Sequence, residues 1–156
     1  MHRVFISYSH DSPDHKARVH ALASRLNSDG VTVICDKDCS VGGPEEQWDK
    51  WSEMQAQNTE IVLIVFSESY RRCWDGEQPP GIRRGATNEA RVIFGRIYKA
   101  GNKINFCRVV VFDQADKEYI PDIISGLHIF NGNRDYSDLL QWLRNVGAAP
   151  DPLAHC

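Results

Sequence analysis

Residues 61–67 read Ile-Val-Leu-Ile-Val-Phe-Ser, an unbroken apolar run made mostly of β-branched side chains. It is too short for a typical buried helix and has no polar alternation. It therefore predicts a central strand covered on both faces, the mark of a parallel sheet with helices on either side. Four further short runs fit the same sheet: residues 4–8, 31–36, 106–112 and, as an edge strand, 128–130. Helical patterns fall between them. Ser12 and Pro13 read as an N-cap and first helical position, and Val19, Leu22, Ala23 and Leu26 then share one apolar face. A helix over 44–58 carries Trp48, Trp51 and Met54. A third starts at Thr87, turns Ala90, Ile93, Phe94 and Ile97 inward and stops at Gly101, and a last one over 137–146 buries Leu139, Leu140 and Leu143. Residues 70–85 read as irregular and 120–124 as a helical turn. Strands alternating with helices in this way predict a doubly wound, open parallel sheet.

Composition bounds the function. The chain has 156 residues, 42% hydrophobic and 25% charged, which suits one globular domain. Residues 1–147 are expected to form it and 148–156 to fray. The net charge of -3 argues against binding nucleic acid through bulk positive charge. No run is long and apolar enough to span a membrane, so no membrane partner is expected. The five cysteines form no Cys-x-x-Cys pair, which predicts thiols in a reducing cytoplasm and no metal centre. Sites of open parallel sheets lie at the carboxyl ends of the strands, here Ser7-Tyr8-Ser9, Asp36, Ser67 and Asp113. No Gly-x-Gly-x-x-Gly or Walker-type loop follows the first strand, so neither nucleotide fingerprint is present.

The opening Val4-Phe5-Ile6-Ser7-Tyr8-Ser9 resembles TIR-type domains and, more narrowly, SEFIR domains. The likeness continues through Trp48-x-x-Trp51, the 61–67 run, Tyr70-Arg71-Arg72, Gly76-Glu77-x-Pro79, Glu89, Ile97-Tyr98, Tyr119-Ile120-Pro121 and Leu139-Leu140. It covers nearly the whole chain in order and is nearer to bacterial than to vertebrate SEFIR domains. It implies a flavodoxin-like α/β fold, five parallel strands with helices on both faces.

The resemblance also implies two kinds of function. Many such domains are cytosolic modules of innate-immune signalling that bind other SEFIR or TIR-like domains and self-associate. Others hydrolyse NAD+ as effectors of immune defence, using one carboxylate against the charge that develops on the ribose. No cofactor is required, and NAD+ would be substrate or ligand. Aligned on Trp51 and the 61–67 strand, the position of that carboxylate falls on Gln57. Gln57 marks an inactive homologue or an inactivating substitution, or else another acid serves, with Glu53 one helical turn away as the substitute; otherwise Glu53 is an exposed helix charge. Whether the chain is an enzyme is therefore open.

Candidate nucleotide contacts are Ser7, Tyr8, Ser9, Asp36, Trp48 and Trp51. The alternatives are turn chemistry for the strand-end residues and core packing for Trp51. The loop over 37–47 matches the BB loop, a subunit contact in TIR-type domains, which makes Cys39, Ser40, Val41, Gly42 and Gly43 interface candidates. Arg71, Arg72, Trp74, Arg83 and Arg84 join them as a locally basic segment suited to head-to-tail stacking.

Overall fold

The computed structural model describes residues 3–35, 45–78, 84–101 and 104–147. Five strands, β1 (Arg3–Ser7), β2 (Thr32–Ile34), β3 (Ile61–Val65), β4 (Cys107–Val111) and β5 (Ile129–Asn131), form one sheet in the order β2-β1-β3-β4-β5. Every pairing is parallel. The expected flavodoxin-like architecture is the one observed. Helices α1 (Pro13–Ser28), α2 (Glu45–Asn58), α3 (Glu68–Trp74), α4 (Arg84–Ala100) and α5 (Tyr136–Gly147) run back between the strands. Both outer strands, β2 and β5, are only three residues long.

β3 is buried along its whole length. Its side chains alternate between two cores, as the pleat requires. Ile61, Leu63 and Val65 join the α1 and α5 side with Val19, Leu22, Leu26, Leu139 and Leu143. Val62, Ile64 and Phe66 join the other side with Ala56 of α2, Tyr70 and Cys73 of α3, and Ala90, Ile93 and Ile97 of α4. Helices on both faces are therefore seamed to a strand that has no polar residue to expose.

Local chemistry sets the helix ends. The Ser12 hydroxyl accepts from the His15 amide at 3.1 Å, with Pro13 at the first helical position. α4 ends where Gly101 adopts a φ of 62°, a left-handed value that glycine reaches without strain. Two elements differ from the sequence reading. The stretch after β3 is not irregular at its start, because Ser67 caps α3 by accepting from the Tyr70 amide at 3.2 Å. The fourth helix begins at Arg84, ahead of Thr87. Between β4 and β5 the chain makes two 3-10 turns, Gln114–Tyr119 and Asp122–Ile124. Among the described residues no helix is long and apolar enough to cross a membrane. Cys35, Cys73 and Cys107 are buried thiols, and burial pushes the Cys107 thiol up to about 12.

Candidate functional site

The strand order reverses direction between β1 and β3, where doubly wound sheets open a crevice beyond the carboxyl ends of the strands. Ser7 closes β1 at that point. Strand alternation sends Phe5 and Ser7 toward α2 and α4, and Val4, Ile6 and Tyr8 toward α1. The three consecutive residues Ser7, Tyr8 and Ser9 thus serve three surroundings. The Ser7 hydroxyl donates to Oε1 of Glu89 on α4 at 2.6 Å. The Tyr8 hydroxyl lies 3.1 Å from Nε2 of His20. Ser9 donates to Asp11 and has the Ser67 hydroxyl 3.4 Å away.

Glu89 is the buried acid of this edge, 8% exposed. Ser52 of α2 donates to its second oxygen. The hydroxyls of Ser7 and Tyr70 are 2.8 Å apart. Ser7 has one proton and gives it to Glu89, so Tyr70 donates to Ser7. The result is a directional chain from Tyr70 through Ser7 to the carboxylate, with Ser52 closing the other side. Burial, followed by the nearby Glu89 charge, raises the Tyr70 phenol well above its ordinary value and keeps it a donor. Elements from four parts of the sequence meet here. The arrangement holds one carboxylate rigidly, with its charge distributed over fixed donors.

The residues singled out from sequence are not all brought to this point. Gln57 is exposed near the end of α2, at the sheet edge where β3 begins. Helix α2 runs against the strands, so five residues carry Gln57 about 7.5 Å along the axis beyond Ser52. Glu53 is partly exposed and pairs with Arg91 at 3.3 Å. Trp51 packs edge-on to Phe5 with ring centroids 6.3 Å apart, against the core. Trp74 sits between Phe66 at 5.7 Å and Phe94 at 5.8 Å. Arg71 reaches Asp75 at 2.9 Å and the Tyr119 carbonyl at 3.1 Å, and Arg72 reaches Glu68 at 2.7 Å, so local acids answer this basic pair. Asp36, Cys39, Ser40, Val41, Gly42, Gly43 and Arg83 lie outside the described residues, as do residues 148–156 and the side chains of Trp48 and Arg84.

Beside the serine chain, a cleft of about 420 Å³ opens between the start of α1, the start of α3 and the turn after β4. Asp11, Asp14, Glu68, Asp113 and Asp116 line it together with His15 and Arg18. Arg18 pairs with Asp113 at 3.2 Å. Burial holds the His15 imidazole below its ordinary value against the opposing pull of Asp11, 4.0 Å away. Burial, reinforced by Asp113, raises the Asp116 carboxyl. Among the described residues no cluster of His, Cys, Asp and Glu is placed to hold a metal ion.

Glu89 is one of the residues that carry the family likeness, and the sequence alone assigns it no role. Its signal is positional: Ala86, Glu89, Ala90, Ile93 and Ile97 share the inward face of α4, so an acid stands where the helix buries itself.

A parallel β2-β1-β3-β4-β5 sheet with a polar cluster at its carboxyl edge defines a TIR-like α/β domain. Residues 2–143 match the SEFIR domain model, and the chain belongs to that family. Among solved structures it is similar to a prokaryotic SEFIR domain seen by crystallography. The two are 26% identical with a TM-score of 0.64, over 92% of this chain and 99% of that one. No curated protein matches this sequence.

Proposed function

We propose that this SEFIR domain is a cytosolic innate-immune signalling module that acts by associating with further copies of itself or with other SEFIR or TIR-like domains. The observation that carries this is the exposed apolar ridge of α4. Tyr98 is 76% exposed and Phe94, one turn earlier, 43%. Beside them Ile123 is 44% exposed, across a groove of about 410 Å³ lined by Ile97, Ile104 and Leu127. Large aromatic side chains left in water on one helix face are typical of surfaces that another protein covers. Light scattering and negative-stain imaging across protein concentration test this. Oligomers or filaments are expected, and Tyr98→Ala should weaken them. A monomer at every concentration removes self-association and leaves only pairing with a different SEFIR or TIR-like domain.

A second reading is favoured by Glu89. A fixed carboxylate at the switch-point edge suits hydrolysis of the nicotinamide–ribose bond of NAD+. That bond breaks with nicotinamide as leaving group, water adds at the ribose carbon, and ADP-ribose and a proton are the other products. The Glu89 charge would stabilise the cationic ribose as the bond opens. Incubating concentrated protein with NAD+ and following nicotinamide decides it. Release that Glu89→Gln abolishes supports the enzyme. No release, or release unchanged in Glu89→Gln, counts against it. In this reading Gln57 is a surface residue of α2, and Gln57→Glu leaves turnover unchanged.

A further inference from the structure

Helices α1 and α4 run opposite to the strands they connect, so their first turns lie at the carboxyl edge of the sheet and their last turns at the amino edge. Acids stand in the first turns of α1 and of α3, which starts directly after β3: Asp14 and Glu68. Cations stand in several last turns: Arg25 in α1, Lys99 in α4 and Arg144 in α5. Each charge favours its own helix by complementing the macrodipole. Together they give the molecule a charge polarity along the strand direction. At the carboxyl edge Asp11, Asp113 and Asp116 reinforce the acids, against Arg18, which pairs with Asp113, and Arg72, which pairs with Glu68. At the amino edge Lys99 projects beside Tyr98 and makes no ion pair among the described residues.

The α4 groove lies at the amino edge as well. Gly101 and Ile104 lead into β4, and Ile123, Gly126 and Leu127 lead into β5. The exposed ridge therefore occupies the basic end of the molecule and the acidic cleft the opposite end. Resting on the self-association reading above, we infer that the partner of the Tyr98–Lys99 surface is the acidic cleft of a second copy of this chain. Lys99 would enter the cleft among Asp14, Asp116 and Asp113, the last shared with Arg18, and Tyr98 would cover its rim. The two surfaces are different and lie at opposite ends, so the contact is heterologous and each added copy leaves both kinds of end open. The product is a head-to-tail chain that grows along the strand direction, not a closed pair.

Two double variants at exposed or half-buried surface positions test this: Lys99→Glu with Tyr98→Ala, and Asp113→Lys with Asp116→Lys. Circular dichroism checks that each keeps its helices. At a concentration where the unmodified chain forms long oligomers, each variant alone should be monomeric. Mixed in equal amounts they should form dimers and stop, because each supplies one intact end. Analytical ultracentrifugation reads the result, and raising salt from 0.05 to about 0.5 M should lower the unmodified assembly. Variants that still form long oligomers, or a mixture that stays monomeric, overturn the head-to-tail pairing while leaving self-association standing. An unmodified chain that never assembles overturns both.

Discussion

Ser7 at the end of β1 and Glu89 on α4, 82 residues apart in sequence, are joined by a buried hydrogen bond of 2.6 Å. The bond ties the first strand to the helix that leads into β4, and Ser52 brings α2 to the same carboxylate. Glu89→Ala would leave the Ser52 hydroxyl without its acceptor, break the chain from Tyr70 through Ser7 and open a cavity, for an expected loss of about 3 kcal/mol. Glu89→Gln keeps the shape and one acceptor oxygen and should cost about 1 kcal/mol. Urea titration measures both. If the chain hydrolyses NAD+, Glu89→Gln should lower turnover at least about 100-fold while the fold is retained. Equal stability losses for Gln and Ala would contradict the hydrogen-bond account.

Alkali should unfold this protein from within. Burial raises the Cys107 thiol from 9.0 to about 12, against the milder pull of Arg108 and Arg96. Burial and the hydrogen bond to Asp29 raise the Tyr136 phenol from 10.0 to about 12. Tyr70 shifts in the same direction. In each case the unfolded chain releases its proton first, so folding is fully supported below pH 9 and weakens as pH rises toward 12. Cys107 and Tyr136 each contribute a slope of about 1.4 kcal/mol per pH unit between their two values. Cys107→Ala should shift the onset of this loss from about 9 to about 10, where the tyrosines begin. Denaturation midpoints at pH 8 to 11 check it, and an unchanged onset would rule out the thiol.

On the acid side the group to watch is His15. Burial lowers its value below 6.5 in the folded state, while Asp11, Asp116 and Asp113 pull upward and Arg18 pushes down. The unfolded chain then binds the extra proton, so stability is complete above pH 6.5 and declines as pH falls through that value. His15→Gln should flatten the decline over the interval below pH 6.5. Thermal melts of both proteins across that interval supply the comparison, and parallel curves would refute it.

Gly132 is needed for want of a side chain. A Cβ built there would stand 2.6 Å from the Phe112 ring, which itself closes the α1 side of the core. Gly132→Ala must displace that ring and should cost about 1–3 kcal/mol. Gly126, with nothing within 4 Å, is the control, and Gly126→Ala should change stability far less. Chemical denaturation of the pair checks the contrast.

Periodicity made the scaffold legible. The unbroken run that became β3 and the i, i+3, i+4, i+7 face of α1 each report burial directly, and burial is what a pleat or a helix surface repeats. The short α3 was hidden because its seven residues complete too few turns for a face to show, and its start depends on one hydroxyl, Ser67. The polar site was harder for a different reason. Ser7, Ser52, Tyr70 and Glu89 have no common spacing, and their meeting is a product of topology. Alignment by strand and tryptophan places the family carboxylate at Gln57, on the helix before β3, and the acid buried on α4 lies after that strand. An acid amid Ala86, Ala90 and Ile93 is a local contradiction in hydrophobic pattern, and such contradictions are where chemistry tends to reside.

The two outer strands carry a consequence for any gathering of copies of this domain. β2 and β5 each present three residues to solvent, too few backbone donors and acceptors to recruit another chain as an added strand. Among the described residues the sheet offers little edge for lateral growth. Copies that associate as proposed would then meet through side chains on preformed surfaces, whose contacts dissolve again on dilution or added salt. Such gathering would stay off the irreversible route of cross-strand fibres.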